Sequence, residues 1–485
     1  MSKRHNIGML VVLAVTLSAA RGQDASAPQA TTPPATGASA DTNPQQEPVT
    51  PPTPAYGQEN TPPPITENPP ISGLDLPGLE SHGAPLSYLQ AGVHVAESVD
   101  SNVSGALGGS AVRSITRASG SLTLQRLWSN YDLALDYVGG VGYYDARGEG
   151  AKLVQALNLN QKIKWKRGQL TLRDNFSYLP EGNFGFAYGS LGPQENLLGG
   201  GFLGGGAFGA LGQVPRIMNL SAAEISQSLS PKSAITLTGG YGILHFTGKD
   251  PQGISFLGSS QVSLQAGYNR TISRHDQIAL VYGYQGFRFS PTAGAGTAFH
   301  TNVVQGMYGH RISGRMDFLV GAGPQITSIT NFTFLGPLRT NRLSVAGRAS
   351  LRYAFPKTSL DLAFERYTTS GSGLFAGAQS NTVRFRASRP ITRVWSGFVD
   401  VGYSHNSRLQ PAGSSVNAKN YGYGFAGLGA RRSLGRNFAV FGSYHFNELY
   451  FDSSFCAGLS PCARTSQRHV ATFGLDWMPR PIRID

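Results

Sequence analysis

From residue 86 to residue 478, apolar and polar side chains alternate along about eighteen segments, joined in turn by tight and by long connections. The tight ones are Ser129-Asn130, Arg167-Gly168, Ser230 to Ser233, Arg274 to Asp276, Ser313-Gly314, Pro356-Lys357, Pro390 to Thr392 and Leu434-Gly435. The long ones include 98–117, 180–216, 247–259, 330–339, 406–419 and 452–466. A period of two puts successive side chains on opposite faces of a strand. Long loops gathered at one end, with spans of roughly 10 residues between, are the pattern of a transmembrane barrel rather than of a soluble sandwich. The predicted fold is therefore all-β, a transmembrane antiparallel up-and-down β-barrel of about 16 to 18 strands.

The alternation also separates the two faces. Val262, Leu264, Ala266 and Tyr268 point one way and Gln261, Ser263, Gln265 and Asn269 the other. Leu343, Val345, Ala349, Leu351 and Tyr353 oppose Ser344, Arg348, Ser350 and Arg352, and Phe438, Val440, Tyr444 and Phe446 oppose Ala439, Ser443, His445 and Asn447. Lipid is expected against the first set of each and water against the second. All four tryptophans, Trp128, Trp165, Trp395 and Trp477, fall beside tight turns or at the matching end of the last segment, predicting one aromatic girdle. Tyr143, Tyr178, Tyr284, Tyr367, Tyr403 and Tyr450 lie toward the long loops and predict the other.

Composition supports this. Only 14% of residues are charged and the mean hydropathy is −0.17, so half of each strand must be polar. After the first residues no apolar run reaches the 18 or so that a membrane helix needs. Residues 1–22 predict a signal peptide, with Lys3 and Arg4 before the apolar stretch Ile7 to Leu17 and small residues at Ala20 and Gly22. Residues 23–85, with PPATG, PPTPA and TPPPITENPP, predict a disordered Pro-rich periplasmic linker, either a passive spacer, the favoured reading, or a tether to a periplasmic partner. The barrel spans 86–478, and 479–485 form a short C-terminal tail.

Charge is uneven. Of 40 basic and 27 acidic residues, the leader takes three basic (Lys3, Arg4, Arg21) and the linker seven acidic ones, which leaves the barrel with 37 basic and 20 acidic, near +17. Lipopolysaccharide phosphates or an anionic solute or polysaccharide in the lumen are the partners this charge predicts, and no nucleic acid is expected. Pore-lining positions follow from the polar faces: Lys162, Lys164, Arg173, Arg348, Arg352, Asp361, Glu365, Arg384 and Arg386. A hairpin folded about Pro356-Lys357 sets Arg352 opposite Asp361 and Arg348 opposite Glu365, a lumenal charge ladder in which ion selection and bracing of the wall weigh equally. A hairpin folded about Arg167-Gly168 sets Lys162 opposite Arg173, with Lys164 one pleat away. That register leaves Gln161 and Asp174 together on the lipid face.

The loop 180–216 carries Phe184, Phe186, Tyr188, Phe202, Leu203 and Phe208, apolar side chains that predict a contact, either an adhesive or subunit surface or, as a resemblance to porins implies, a constriction folded into the lumen. Its glycines lack the Lys-Ser/Thr of a phosphate loop. Cys456 and Cys462, the only cysteines, predict an intraloop disulfide. His94, His245, His310, His405, His445 and His469 are dispersed and no nucleophile motif accompanies them. No enzymatic activity, metal or cofactor is expected.

On these residues the chain resembles Gram-negative outer-membrane barrels of porin-like size and, in strand number and basic lumen, the barrels that export anionic exopolysaccharides such as alginate. The resemblance is architectural. It implies a channel in the outer membrane of a Gram-negative bacterium, with periplasmic termini, for hydrophilic, anionic solutes. The alternatives are the terminal barrel of an exopolysaccharide export system and a plugged structural or adhesive barrel. General porins end on an aromatic residue, whereas Trp477 is followed by eight residues, so either the barrel-assembly machinery reads an internal signal or the last strand lies elsewhere than predicted.

Overall fold

A computed structural model describes residues 70–73, 87–103, 105, 107–108, 111–145, 150–180, 215–247, 256–289, 297–333, 336–355, 357–371, 373–409, 417–456 and 462–484. Its strands are β1 (Tyr88–Asp100), β2 (Arg113–Leu127), β3 (Tyr131–Tyr144), β4 (Gly150–Trp165), β5 (Gly168–Leu179), β6 (Arg216–Ser230), β7 (Ser233–Phe246), β8 (Ser259–Thr271) and β9 (Asp276–Phe289). They continue as β10 (Thr297–Ser313), β11 (Met316–Thr333), β12 (Gly336–Ala354), β13 (Ser359–Thr369), β14 (Ala378–Pro390), β15 (Trp395–Arg408), β16 (Asn420–Leu434), β17 (Phe438–Phe451), β18 (Thr465–Trp477) and the two-residue β19 (Ile482–Arg483).

Each strand pairs antiparallel with the next, and β18 returns to pair with β1, from Val93 opposite Trp477 to Asp100 opposite Val470. The sheet is thereby a closed eighteen-strand barrel, with every edge paired. The stretch read as a C-terminal tail extends this seam: Ile482 pairs with Leu89 and Arg483 with Tyr88.

The faces are inverted relative to a soluble protein. Val262, Leu264 and Tyr268 are 45%, 51% and 46% exposed, while the intervening Gln261 and Ser263 are 5% and 1% exposed. The same split recurs on β12, where Leu343 and Val345 are exposed, and on β17, where Phe438 and Tyr444 are exposed and His445 and Asn447 buried. Outward apolar side chains and buried polar ones cost free energy in water and gain it in a bilayer, where only a helix or a closed barrel satisfies the backbone. The barrel spans a membrane.

Some turns differ from expectation by a residue. The β4–β5 turn is Lys166-Arg167, with Trp165 opposite Gly168, one position earlier than the sequence predicts. The register changes with it: Lys162 faces Thr171 and Arg173 faces Asn160, so the two cations are not directly opposed. Gln161 and Asp174 separate likewise, onto Leu172 and Leu159. The cause is local: Lys166, Arg167 and Gly168 give no proline or Asn-Gly signal that would pin the turn. The stretch 330–339, predicted as a long loop, is strand on both sides, β11 to Thr333 and β12 from Gly336. The β11–β12 ladder runs on to Thr333 opposite Gly336.

Candidate functional site in the barrel lumen

The inner wall is lined by charged and amide side chains held by their neighbours. Along one lateral row, Asp317, Arg352, Asp361, Arg386 and Asp400 stand opposite one another on β11 to β15, acid alternating with base. Arg352 forks onto Asp317, Nε to Oδ1 at 2.9 Å and an Nη to Oδ2 at 2.5 Å. Arg384 does the same to Asp400 with the same two distances, and Arg386 lies 3.8 Å from that carboxylate. Bidentate pairs of this kind fix geometry as well as charge. The predicted register of Arg352 with Asp361 and Arg348 with Glu365 is present, but the bidentate partner of Arg352 is on the preceding strand.

The closure seam is stitched from within. Arg468 donates to Asp100 through Nε at 2.7 Å and through an Nη, and the Ser98 and Thr472 hydroxyls are 2.9 Å apart. His94 is hydrogen bonded through Nδ1 to Asp476 and through Nε2 to Ser121, both at 2.8 Å, and Arg431 reaches Asp476 at 3.2 Å. Sequence reasoning treated His94 as isolated, because its partners lie 27 and 382 residues away. The order of the three groups is that of a hydrolase triad, but Ser121 stands in a regular strand paired on both sides, with Gly92 and Val138. Its neighbouring amides are spent on the ladder instead of converging on an oxyanion. We assign the trio to bracing the seam. Among the described residues no group of His, Cys, Asp or Glu is placed to hold a metal ion.

Two further features occupy the lumen. Near the short-turn end sits a turn of the N-terminal segment, Pro70–Gly73, closed by Gly73 N donating to Pro70 O at 3.0 Å. Ile71 is 1% exposed and packs on Ala279, Val281, Met307 and Leu319. Ser72 N donates to Asn269 Oδ1 at 3.1 Å, Asn269 Nδ2 donates to Ser72 Oγ at 2.5 Å, and Ser72 Oγ lies 2.6 Å from Thr236 Oγ1. Gln265 Nε2 donates to Ser72 O at 2.6 Å and Arg348 to Ile71 O at 2.8 Å. This turn falls inside the stretch assigned by sequence to the linker.

At the long-loop end, the β13–β14 connection folds inward. Leu374 and Phe375 are fully buried against Tyr421, Tyr423 and Phe425 of β16 and Leu449 and Phe451 of β17. Ala376 packs on the opposite side with Phe287, Phe299 and Ile329 of β9 to β11. Gly371, Gly373 and Gly377 carry φ of +76°, +81° and +89°, the left-handed backbone that lets the chain double back. Leu257 N donates to Gly373 O at 2.8 Å and Leu409 N to Gly377 O at 3.2 Å, pinning the loop to its neighbours. Tyr367, read from sequence as part of an outer girdle, instead points inward at 4% exposure and packs with Leu220, Ala222, Val303 and Ala346. Tyr367 shares the parity of Asp361 and Glu365 on β13, so the alternation itself puts it on the inner face, and above Arg366 the strand no longer pairs with β12 and follows β14 alone.

The other sequence-predicted positions are placed as follows. Lys162, Lys164, Arg173, Arg348, Arg352, Asp361, Glu365, Arg384 and Arg386 all occupy the inward face, Lys164 in an ion pair with Asp132 of β3. Trp128, Trp165, Trp395 and Trp477 are 38% to 44% exposed, all at the short-turn end. Of the tyrosines, Tyr143, Tyr403 and Tyr450 are exposed at the long-loop end, and the hydroxyls of Tyr403 and Tyr450 are 2.6 Å apart. Cys456 and Cys462 form a disulfide with Cα atoms 5.6 Å apart. Just before it, Asp452 accepts hydrogen bonds from Ser454 and from the amides of Lys419 and Asn420. Partial burial raises its carboxyl, but these donors outweigh that and hold it below the ordinary carboxylate range. Phe184, Phe186, Tyr188, Phe202, Leu203 and Phe208 lie outside the described residues. Asp174 remains on the outward face, as expected from sequence, and there accepts hydrogen bonds from Asn219 and Ser221 of β6.

No protein family matches the chain and no curated protein matches it. Among solved structures it is similar to the ferric citrate transporter FecA, at 12% identity and a TM-score of 0.42, over 82% of this chain and 65% of that one. It is also similar to OccK2 (OpdF) of Pseudomonas aeruginosa, at 11% identity and 0.39, over 81% of this chain and 98% of that one. A BenF-like porin of Pseudomonas fluorescens Pf-5 overlaps at 10% identity and 0.37, over 82% of this chain and 99% of that one. The chain thus spans just under two thirds of the FecA chain. The barrel's own closure, strand number and inverted faces are what give it the architecture of an outer-membrane, porin-like barrel.

Proposed function

We propose that this chain is an outer-membrane channel for small hydrophilic, anionic solutes, with its short turns and both termini in the periplasm. The carrying observation is the inner wall, where Arg173, Arg348, Arg386 and Arg431 stand in partly open positions within a barrel of net charge near +17. A water-filled passage lined in this way concentrates anions by its field rather than by a dedicated site. The outward apolar band would face lipid and lipopolysaccharide, and the four tryptophans would mark the periplasmic interface. The Pro-rich sequence would supply either a spacer or a tether for a periplasmic partner.

Planar-bilayer recordings under a KCl gradient test this reading. We expect a reversal potential that reports preference for chloride, and a drop in that preference when Lys162→Gln and Arg173→Gln are combined. An unchanged ratio in the double variant, or a cation preference in the wild type, contradicts it. A second reading, a plugged structural barrel, is favoured by the inserted turn and the inward loop. Complete absence of conductance, in the wild type and with either obstruction loosened, would select it.

A further inference from the structure

The seat of the Pro70–Gly73 turn is shaped to its occupant. The wall is hollowed by glycine where the turn approaches: a Cβ on Gly267 would lie 2.5 Å from the Ser72 Cβ, and one on Gly309 would lie 3.1 Å from Ile71 Cγ2. An aliphatic pocket receives one branched side chain, and Asn269, Gln265 and Arg348 read the backbone and hydroxyl beside it. Apolar contact and backbone-directed hydrogen bonds together are how peptides are recognised.

We infer that the lumen contains a binding seat for a short peptide turn with a branched aliphatic residue followed by a small hydroxyl residue. Its resident occupant is the chain's own Ile71-Ser72, a tethered plug that closes the pore at the short-turn end. Tethering keeps the occupant at high effective concentration, so a single buried side chain and a few hydrogen bonds hold it. The same small footprint makes it displaceable, because each lumenal donor that releases the turn regains water. A pull on the Pro-rich segment, or a competing peptide of the same chemistry, would open the pore. The inference rests on the channel reading, and its test separates the two.

The experiment introduces Ser72→Cys and Thr236→Cys together in the full chain, in which the native hydroxyl oxygens are 2.6 Å apart. Conductance is read in planar bilayers under oxidant and then reductant, with each single cysteine variant, the wild type and Ile71→Asp alongside. We expect the double variant to form the cross-link, to stay closed while oxidised and to open on reduction. Ile71→Asp should be open several-fold more of the time than wild type, and the single variants and wild type should not respond to reductant. Failure of the cross-link to form overturns the seat. A cross-linked barrel that conducts as fully as Ile71→Asp overturns the plug while leaving the channel intact. A cross-link that forms in a barrel silent in every variant overturns the channel reading, and the plug with it.

Discussion

Asp400 is 2% exposed, with Arg384 forked on it and Arg386 at its edge, and that local arrangement carries most of what a single residue does in this wall. A buried carboxylate left without its guanidinium retains the full cost of desolvation. Arg384→Met should therefore destabilise the barrel by about 3 to 5 kcal/mol, whereas Arg384→Met combined with Asp400→Leu should recover much of the loss. Unfolding by urea from lipid vesicles measures both, and equal losses in the single and double variants would contradict the bracing role. The sequence places Arg384 on the polar face because Val383 and Phe385 flank it. It does not reveal the partner, since Asp400 lies on β15 across the β14–β15 turn, directly opposite Arg386, and Arg384 reaches it diagonally from two residues away. His94 shows the same limit: its alternation says inward, while Asp476 is reached only once the barrel has closed.

Among elements, the β13–β14 connection was the least legible. Gly371 to Gly377 reads as an ordinary glycine-rich loop, and Leu374 and Phe375 alone do not say which way it folds. Its destination is set by aromatic residues of β9, β10, β16 and β17 that meet only across the lumen. The signal that was available is the bracketing of Leu-Phe-Ala by glycines, which lets a short loop reverse twice. Gly377 tests it, because its φ is +89° and an added Cβ would stand 2.5 Å from Phe299. We expect Gly377→Ala to expel the loop and to make residues 370–377 sensitive to added protease on intact cells, where the wild type resists. Equal resistance in both would contradict a loop held inside. Strand hairpins were more legible, because a two-residue period and a turn residue suffice locally. The one-residue shift at Lys166-Arg167 arose where the turn chemistry is weakest.

At the scale of the whole molecule, the decisive property is the exchange of inside and outside. Alternation along single strands was enough to predict a closed barrel of about eighteen strands, since apolar and polar faces cannot both be satisfied by an open sheet in hydrocarbon. What alternation could not predict is how full the lumen is, because the tail turn and the inward loop contribute no period to the sequence. The most direct test is a scan of single cysteines along β8, from Gln261 to Asn269, in the barrel reconstituted into liposomes. Each is labelled with a spin probe and challenged with a lipid-soluble and a water-soluble quencher. Positions 262, 264, 266 and 268 should respond to the lipid-soluble quencher alone, and positions 261, 263, 265 and 269 should be shielded from it. A response without alternation, or full access of the water-soluble quencher to the first set, would contradict a membrane-spanning barrel.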